Sequence, residues 1–137
     1  MSEMLVVHRE DDAFAVIVRD HVIHVDQPYT GGGMDAGPTP VELFVASLAA
    51  CTAHHARLYL KARCLPANGL EVAAEYAMTP EGPARVTRVE LRLRPPVRLP
   101  DRDVGGLMAA VMAGTVHNSI FDTPRVGVRL ESEVTAA

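Results

Sequence analysis

A chain of 137 residues carrying 13 basic and 17 acidic side chains, for a net charge of −4, is one domain in size and able to bury roughly two thirds of its unfolded surface around a single core. No cluster of Lys or Arg falls on one helix face, which argues against nucleic acid or anionic membrane as a partner. Cys51 and Cys64 are too few for a disulfide scaffold and fit a reducing compartment in which thiols stay free unless they work.

The opening SEMLVVHRED lacks the basic start, apolar middle and small-residue cleavage site of an export signal, so a cytoplasmic location is expected. FAVIVR and HVIHVD, residues 14–19 and 21–26, are rich in β-branched residues and read as a hairpin turning at Arg19 and Asp20. QPYTGGGMDAGPTP, residues 27–40, has loop chemistry. Its three glycines lack the Lys-Ser/Thr of a phosphate loop and the spacing of a dinucleotide fingerprint.

A helix start follows: Thr39 as N-cap, Pro40 at the first helical position and Glu42 completing a capping box. The helix is expected to run to about residues 61–63, stopped by Leu65-Pro66 and Asn68-Gly69. Its first half is apolar nearly all round, which places it at the centre of the molecule or of an oligomer. The run from Leu43 to Cys51 is far short of the roughly 20 residues a membrane span needs.

LEVAAEYAMT and RVTRVELRLR, joined by PEGPA, read as a second hairpin. In its second strand Val89, Leu91 and Leu93 alternate with Arg88, Glu90, Arg92 and Arg94, the mark of one wet face. LPDRDVGGLMAAVMAG then spaces Val104, Leu107, Met108, Val111 and Met112 as an amphipathic helix, with Asp101 or Asp103 as N-cap and Gly114 as terminator. RVGVRLE, residues 125–131, is expected as a closing strand. The class is α+β, a single domain spanning residues 1–137.

Cys51 sits twelve residues beyond Thr39, out of reach of the helix dipole. Buried cysteine is commonly packing, and reactivity requires activation by side chains. His54 and His55 stand three and four residues on, on neighbouring turns, and read equally as a polar cuff where the helix emerges. Cys51 with these histidines and His117 is a poor metal set, because one helix face offers at most two ligands; no metal is expected. A third possibility is a pure interaction domain whose central helix is apolar because a second subunit covers it.

HVIHVDQPYTGGGMDAGPTPVELFVASLAACTA, residues 21–53, resembles the signature region of the OsmC/Ohr superfamily, the osmotically inducible and organic hydroperoxide resistance proteins. The likeness runs through an Asp-x-Pro, a Gly-Gly loop, a Pro-x-Glu-Leu helix start and a small-residue run ending in Cys-Thr. VHNSI, residues 116–120, resembles the segment just after the family's second cysteine. The resemblance implies antiparallel sheets packed around a long buried central helix and a second amphipathic helix, two chains interlocked as a homodimer, and active sites at their interface. It implies a thiol peroxidase of small apolar organic hydroperoxides, working without a cofactor. Cys51 is then the peroxidatic thiol, Arg19 its stabilising cation and Glu42 the carboxylate that orients the Arg; Phe44, Leu48, His55 and Met112 line the substrate pocket.

The chain departs from the family at two points. The second cysteine is expected at residue 114, which is Gly114, and the hydroperoxide resistance branch places its acid at Val41, one step from Glu42. One step turns a helical side chain by about 100°, and Glu42 already serves the capping box. Cys64 lies thirteen residues from Cys51, about 20 Å along one helix, against the roughly 7 Å a disulfide allows. A one-cysteine mechanism with an external thiol reductant is therefore expected, the alternative being a non-catalytic small-molecule-binding or structural dimer in which Cys51 is packed.

Overall fold

The computed structural model describes residues 2–131. Three strands, β1 (Leu5–Glu10), β2 (Ala13–Val18) and β3 (His21–Val25), form an antiparallel meander. The expected hairpin is β2–β3, with Val18 opposite His21 and Phe14 opposite Val25. β1 is an addition to the expected elements: Leu5 pairs with Ile17 and Val7 with Ala15. Arg19, at φ 52, turns the β2–β3 hairpin in the left-handed region, a conformation that costs a non-glycine residue about 1 kcal/mol.

The glycine-rich loop is wound around one buried carboxylate. Asp26, 1% exposed, accepts hydrogen bonds from the backbone N–H groups of Gln27 at 2.7 Å, Met34 at 3.2 Å and Ala36 at 3.1 Å. Those amides, Ala36 first and then Gln27, hold the Asp26 carboxyl below its usual range against the opposing effect of burial. Any side chain at Gly33 would collide with the Gln27 carbonyl, and any at Gly37 with that of His24, so both glycines are there for close approach. The loop's amides serve Asp26 rather than a phosphate, and they deliver the chain to the next helix start.

Helix α1 (Pro40–Ala62) begins with the capping box as expected: Glu42 N–H donates to Thr39 Oγ1 at 3.1 Å and Thr39 N–H to Glu42 Oε1 at 2.9 Å. It ends where Cys64, at φ 57, adopts the left-handed cap while Leu65 N–H reaches back to Leu60 O at 2.8 Å. Strands β4 (Glu71–Met78) and β5 (Val86–Arg94) follow as an antiparallel pair. β5 alternates as predicted: Val89, Leu91 and Leu93 are half-buried against the helices, and Arg92 and Arg94 lie exposed, paired with Glu75 and Glu71 across the strands.

Helix α2 (Asp101–Met112) has Pro100 at its N-cap, so neither Asp101 nor Asp103 caps it. Asp103 instead turns inward. It is 2% exposed and accepts from Tyr59 Oη and Arg63 Nε, each at 2.9 Å, with Arg102 Nε 3.9 Å away. This knot ties α2 to the last turns of α1 beside the core of Ala56, Leu60, Leu107 and Val111. Val104, Met108 and Met112, expected in the core, are about half exposed. Gly114 does not terminate α2. Ala113 is its C-cap, and Gly114 is the N-cap of a further helix, α3 (Thr115–Phe121).

RVGVRLE forms no strand. Val126, Val128 and Leu130 are 81%, 97% and 90% exposed: the alternation is present, but the segment pairs with no strand among the described residues, and alternation alone does not make a strand. The first sheet is uncovered on one face in the same way. An apolar groove of about 330 Å³ between Val6, Phe14, Val16, Val25, Pro40 and Leu43 lies open, and the sheet meets α1 only near the helix start rather than packing along it. α1 itself is covered on one side by α2, α3, β4 and β5, while Phe44, Ala46, Ser47, Ala50, Arg57 and Leu58 face outward.

Two expectations follow for stability. Leu60 is fully buried, and Leu60→Ala should lower the unfolding free energy by about 2–5 kcal/mol, read by urea denaturation. Burial raises the Asp103 carboxyl, but the hydrogen bonds from Tyr59 and Arg63 and the charges of Arg63 and Arg102 outweigh it and hold its pKa lowered. A carboxyl whose folded pKa lies below its unfolded value stabilises above the unfolded pKa, about 4, and loses that contribution as pH falls through the folded one. Melting temperature should therefore drop below about pH 4, and Asp103→Asn should be destabilised at neutral pH with a shallower acid limb.

Candidate active site around Cys51

Cys51 is half-buried on α1, where the helix passes the α2–α3 corner. Gly114 stands against it. A Cβ built on Gly114 would lie 2.9 Å from Cys51 Sγ and 3.0 Å from His55 Cδ2. In a disulfide the Cβ of one half stands about 3 Å from the sulfur of the other, because the S–S bond is about 2.04 Å long. Position 114 is thus where a second cysteine would bond to Cys51. The backbone there, φ −65 and ψ 151, is open to any L residue, so the glycine answers to the closeness of the sulfur and the imidazole, not to strain.

The other candidate residues divide by element. Phe44, Leu48, Cys51 and His55 follow one another at spacings of four, three and four along α1, which sets them along one stripe. Phe44 is 46% exposed, Leu48 is buried and His55 is half-buried. Met112 helps line a cavity of about 120 Å³ with Thr52, Leu91, Leu93, Met108, Val111 and His117. Inside this cluster His117 Nε2 is the one buried side-chain nitrogen or oxygen without a hydrogen-bond partner among the described residues, while the His117 ring leans on Phe121, 4.9 Å between centroids.

Glu42 lies at the exposed start of α1, engaged with Thr39. Arg19 is exposed at the tip of the first sheet, which does not pack along α1. The chain alone brings Cys51, His55 and Gly114 together, while Glu42 is held by Thr39 at the helix start, nine residues before Cys51. Two carboxylates that position the site escaped the sequence reading. Asp26 carries the loop that sets the helix start, and Asp103 fixes α2 and with it the approach to Gly114. The Asp-x-Pro ahead of the glycines was the available signal for Asp26; Asp103 had none, since its partners are 40 and 44 residues away.

A helix-borne cysteine facing the start of a second helix, flanked by antiparallel sheets, defines a class of α+β thiol proteins. The family model for OsmC-like proteins matches residues 31–126, and the chain belongs to that family. Solved structures agree on the fold. A candidate osmotic stress induced and detoxification response protein from Psychrobacter arcticus superposes with a TM-score of 0.80 at 20% identity, over 87% of this chain and 88% of the other. An OsmC-like protein from Mycoplasma pneumoniae gives 0.73 at 18%, over 90% and 89%. An organic hydroperoxide resistance protein from Elizabethkingia anophelis gives 0.66 at 18%, over 90% and 91%. No protein of curated function matches the sequence.

The contact at Gly114 makes a sharp expectation. Gly114→Cys, treated with one equivalent of hydroperoxide, should form a disulfide between Cys51 and the thiol introduced at position 114, seen as loss of two hydrogens by intact-mass spectrometry and as a linked pair of peptides after digestion. Persistence of two free thiols in folded protein would contradict the geometry.

Proposed function

We propose that this protein reduces organic hydroperoxides through Cys51 by a one-cysteine mechanism, restored by an external thiol. The observation that carries this reading is the position of Cys51: half-buried at the α1–α3 junction, its sulfur within disulfide reach of position 114, where the resemblance puts the family's second cysteine. The Cys51 thiolate attacks the terminal peroxide oxygen. The S–O bond forms as the O–O bond breaks, sulfur gives up two electrons, and the alkoxide leaves as the alcohol after taking a proton. The sulfenic acid then condenses with one external thiol, releasing water, and a second thiol resolves the mixed disulfide. With Gly114 in place of a resolving cysteine, these last two steps fall to the external reductant.

The working form is a homodimer in the cytoplasm. Support comes from the uncovered outer face of α1, the open apolar face of the first sheet, and the unpaired, apolar-alternating segment 125–131, surfaces too extensive for a chain that stays alone. No single helix among the described residues is long and apolar enough to cross a membrane. In this reading Arg19, exposed at the β2–β3 turn, is the thiolate's cation and is supplied across the dimer. A second reading, a binding module that has lost turnover, draws on the engagement of Glu42 in the capping box and on Gly114.

Cumene hydroperoxide followed by dimedone should label Cys51, and Cys51→Ser should give no adduct. Sustained peroxide consumption with dihydrolipoate or a monothiol is expected. Labelling without turnover under any reductant would select the binding module, and an unmodified Cys51 in folded protein would reject the peroxidase. Light scattering should return the mass of two chains.

A further inference from the structure

Reduction of an alkyl hydroperoxide leaves an alkoxide that needs a proton, and the proposed chemistry does not name its source. The carboxylate suggested by the resemblance, Glu42, is engaged at the far end of α1. His55 is a titratable side chain that the structure sets beside the sulfur. It lies one turn beyond Cys51 on the same stripe of α1, half-buried, with its ring edge-on to His54 at 5.4 Å between centroids. A single point lies 2.9 Å from Cys51 Sγ and 3.0 Å from His55 Cδ2, so sulfur and ring edge are at most about 6 Å apart. At that closeness a peroxide whose terminal oxygen meets the sulfur directs its leaving oxygen towards the ring, where Nε2 adjoins Cδ2.

Resting on the peroxidase reading, we propose that His55 is the general acid of the reduction. The thiol proton is lost to solvent before attack. As Cys51 sulfur takes the terminal OH and the O–O bond breaks, protonated His55 gives its proton to the departing alkoxide, releasing the alcohol, and is recharged from water. Atoms and electrons balance with no further reactant. Gly114 serves the same end: a larger residue there would enter the space that sulfur and imidazole share. His54, exposed on the neighbouring position, has no part in the transfer.

The test exploits leaving groups. An alkoxide must be protonated, whereas the acetate released from peracetic acid is stable as an anion at neutral pH. The rate of Cys51 sulfenate formation is measured with cumene hydroperoxide and with peracetic acid in wild type, His55→Ala, His55→Gln and His54→Ala, each checked for folding by circular dichroism. Both His55 variants should slow with cumene hydroperoxide by about 100-fold or more and change little with peracetic acid, His54→Ala should match wild type, and added imidazole should restore part of the loss in His55→Ala. Equal slowing with both oxidants, or no slowing with cumene hydroperoxide, overturns the role of His55 while leaving the peroxidase reading intact. A wild type that forms no sulfenate rejects that reading and this inference with it.

Discussion

The close approach of Gly114 to Cys51 is the contact on which the site depends, and most of the fold serves to make it. For a sulfur on the middle of α1 to meet the start of α3, the α2–α3 corner must be held firmly against α1. The apolar core of Ala56, Leu60, Leu107 and Val111 supplies the attraction. Burial of apolar surface is non-directional, however, and would allow α2 to slide. Asp103 removes that freedom, since its carboxylate has fixed partners in Tyr59 and in Arg63 at the end of α1. At the same level Gly106 lies so close to the Tyr59 hydroxyl that a side chain there would collide with it. Register is thus set about two to three helical turns from the thiol, by groups that take no part in its chemistry.

A long helix has more than one face to cover, and the chain covers α1 from one side only. The same pattern recurs in the first sheet, where Val6, Phe14 and Val16 border an open groove, and in the segment after α3. In the dimer we propose, a second copy covers these surfaces, and the half-buried state of the sulfur is that of one chain on its own. Closing that interface would deepen the apolar surroundings of the thiol.

What could be read from the sequence was what neighbouring residues decide among themselves. Thr39, Pro40 and Glu42 settle the start of α1 within four positions, and the alternation of Val89, Leu91 and Leu93 names its own wet face. Segment 125–131 shows the limit of that logic, because its pattern is that of a strand while it pairs with none among the described residues. Asp26 and Asp103 were opaque for a related reason: a carboxylate reads as surface unless its donors are known, and theirs come from a folded loop and from a second helix. Position 114 was legible only through the resemblance. Spacing could not show that residues 63 apart in sequence touch, nor that His55 shares the contact.

In the proposed reaction the sulfur of Cys51 works from an apolar junction, so that the organic part of the substrate contributes to its own capture. Comparing the second-order rate constants of Cys51 oxidation by cumene hydroperoxide and by hydrogen peroxide tests this most directly. Each buried methylene of substrate is worth about 0.8 kcal/mol, so the bulky hydroperoxide is predicted to react at least about tenfold faster. Equal rates, or a preference for hydrogen peroxide, would contradict the account.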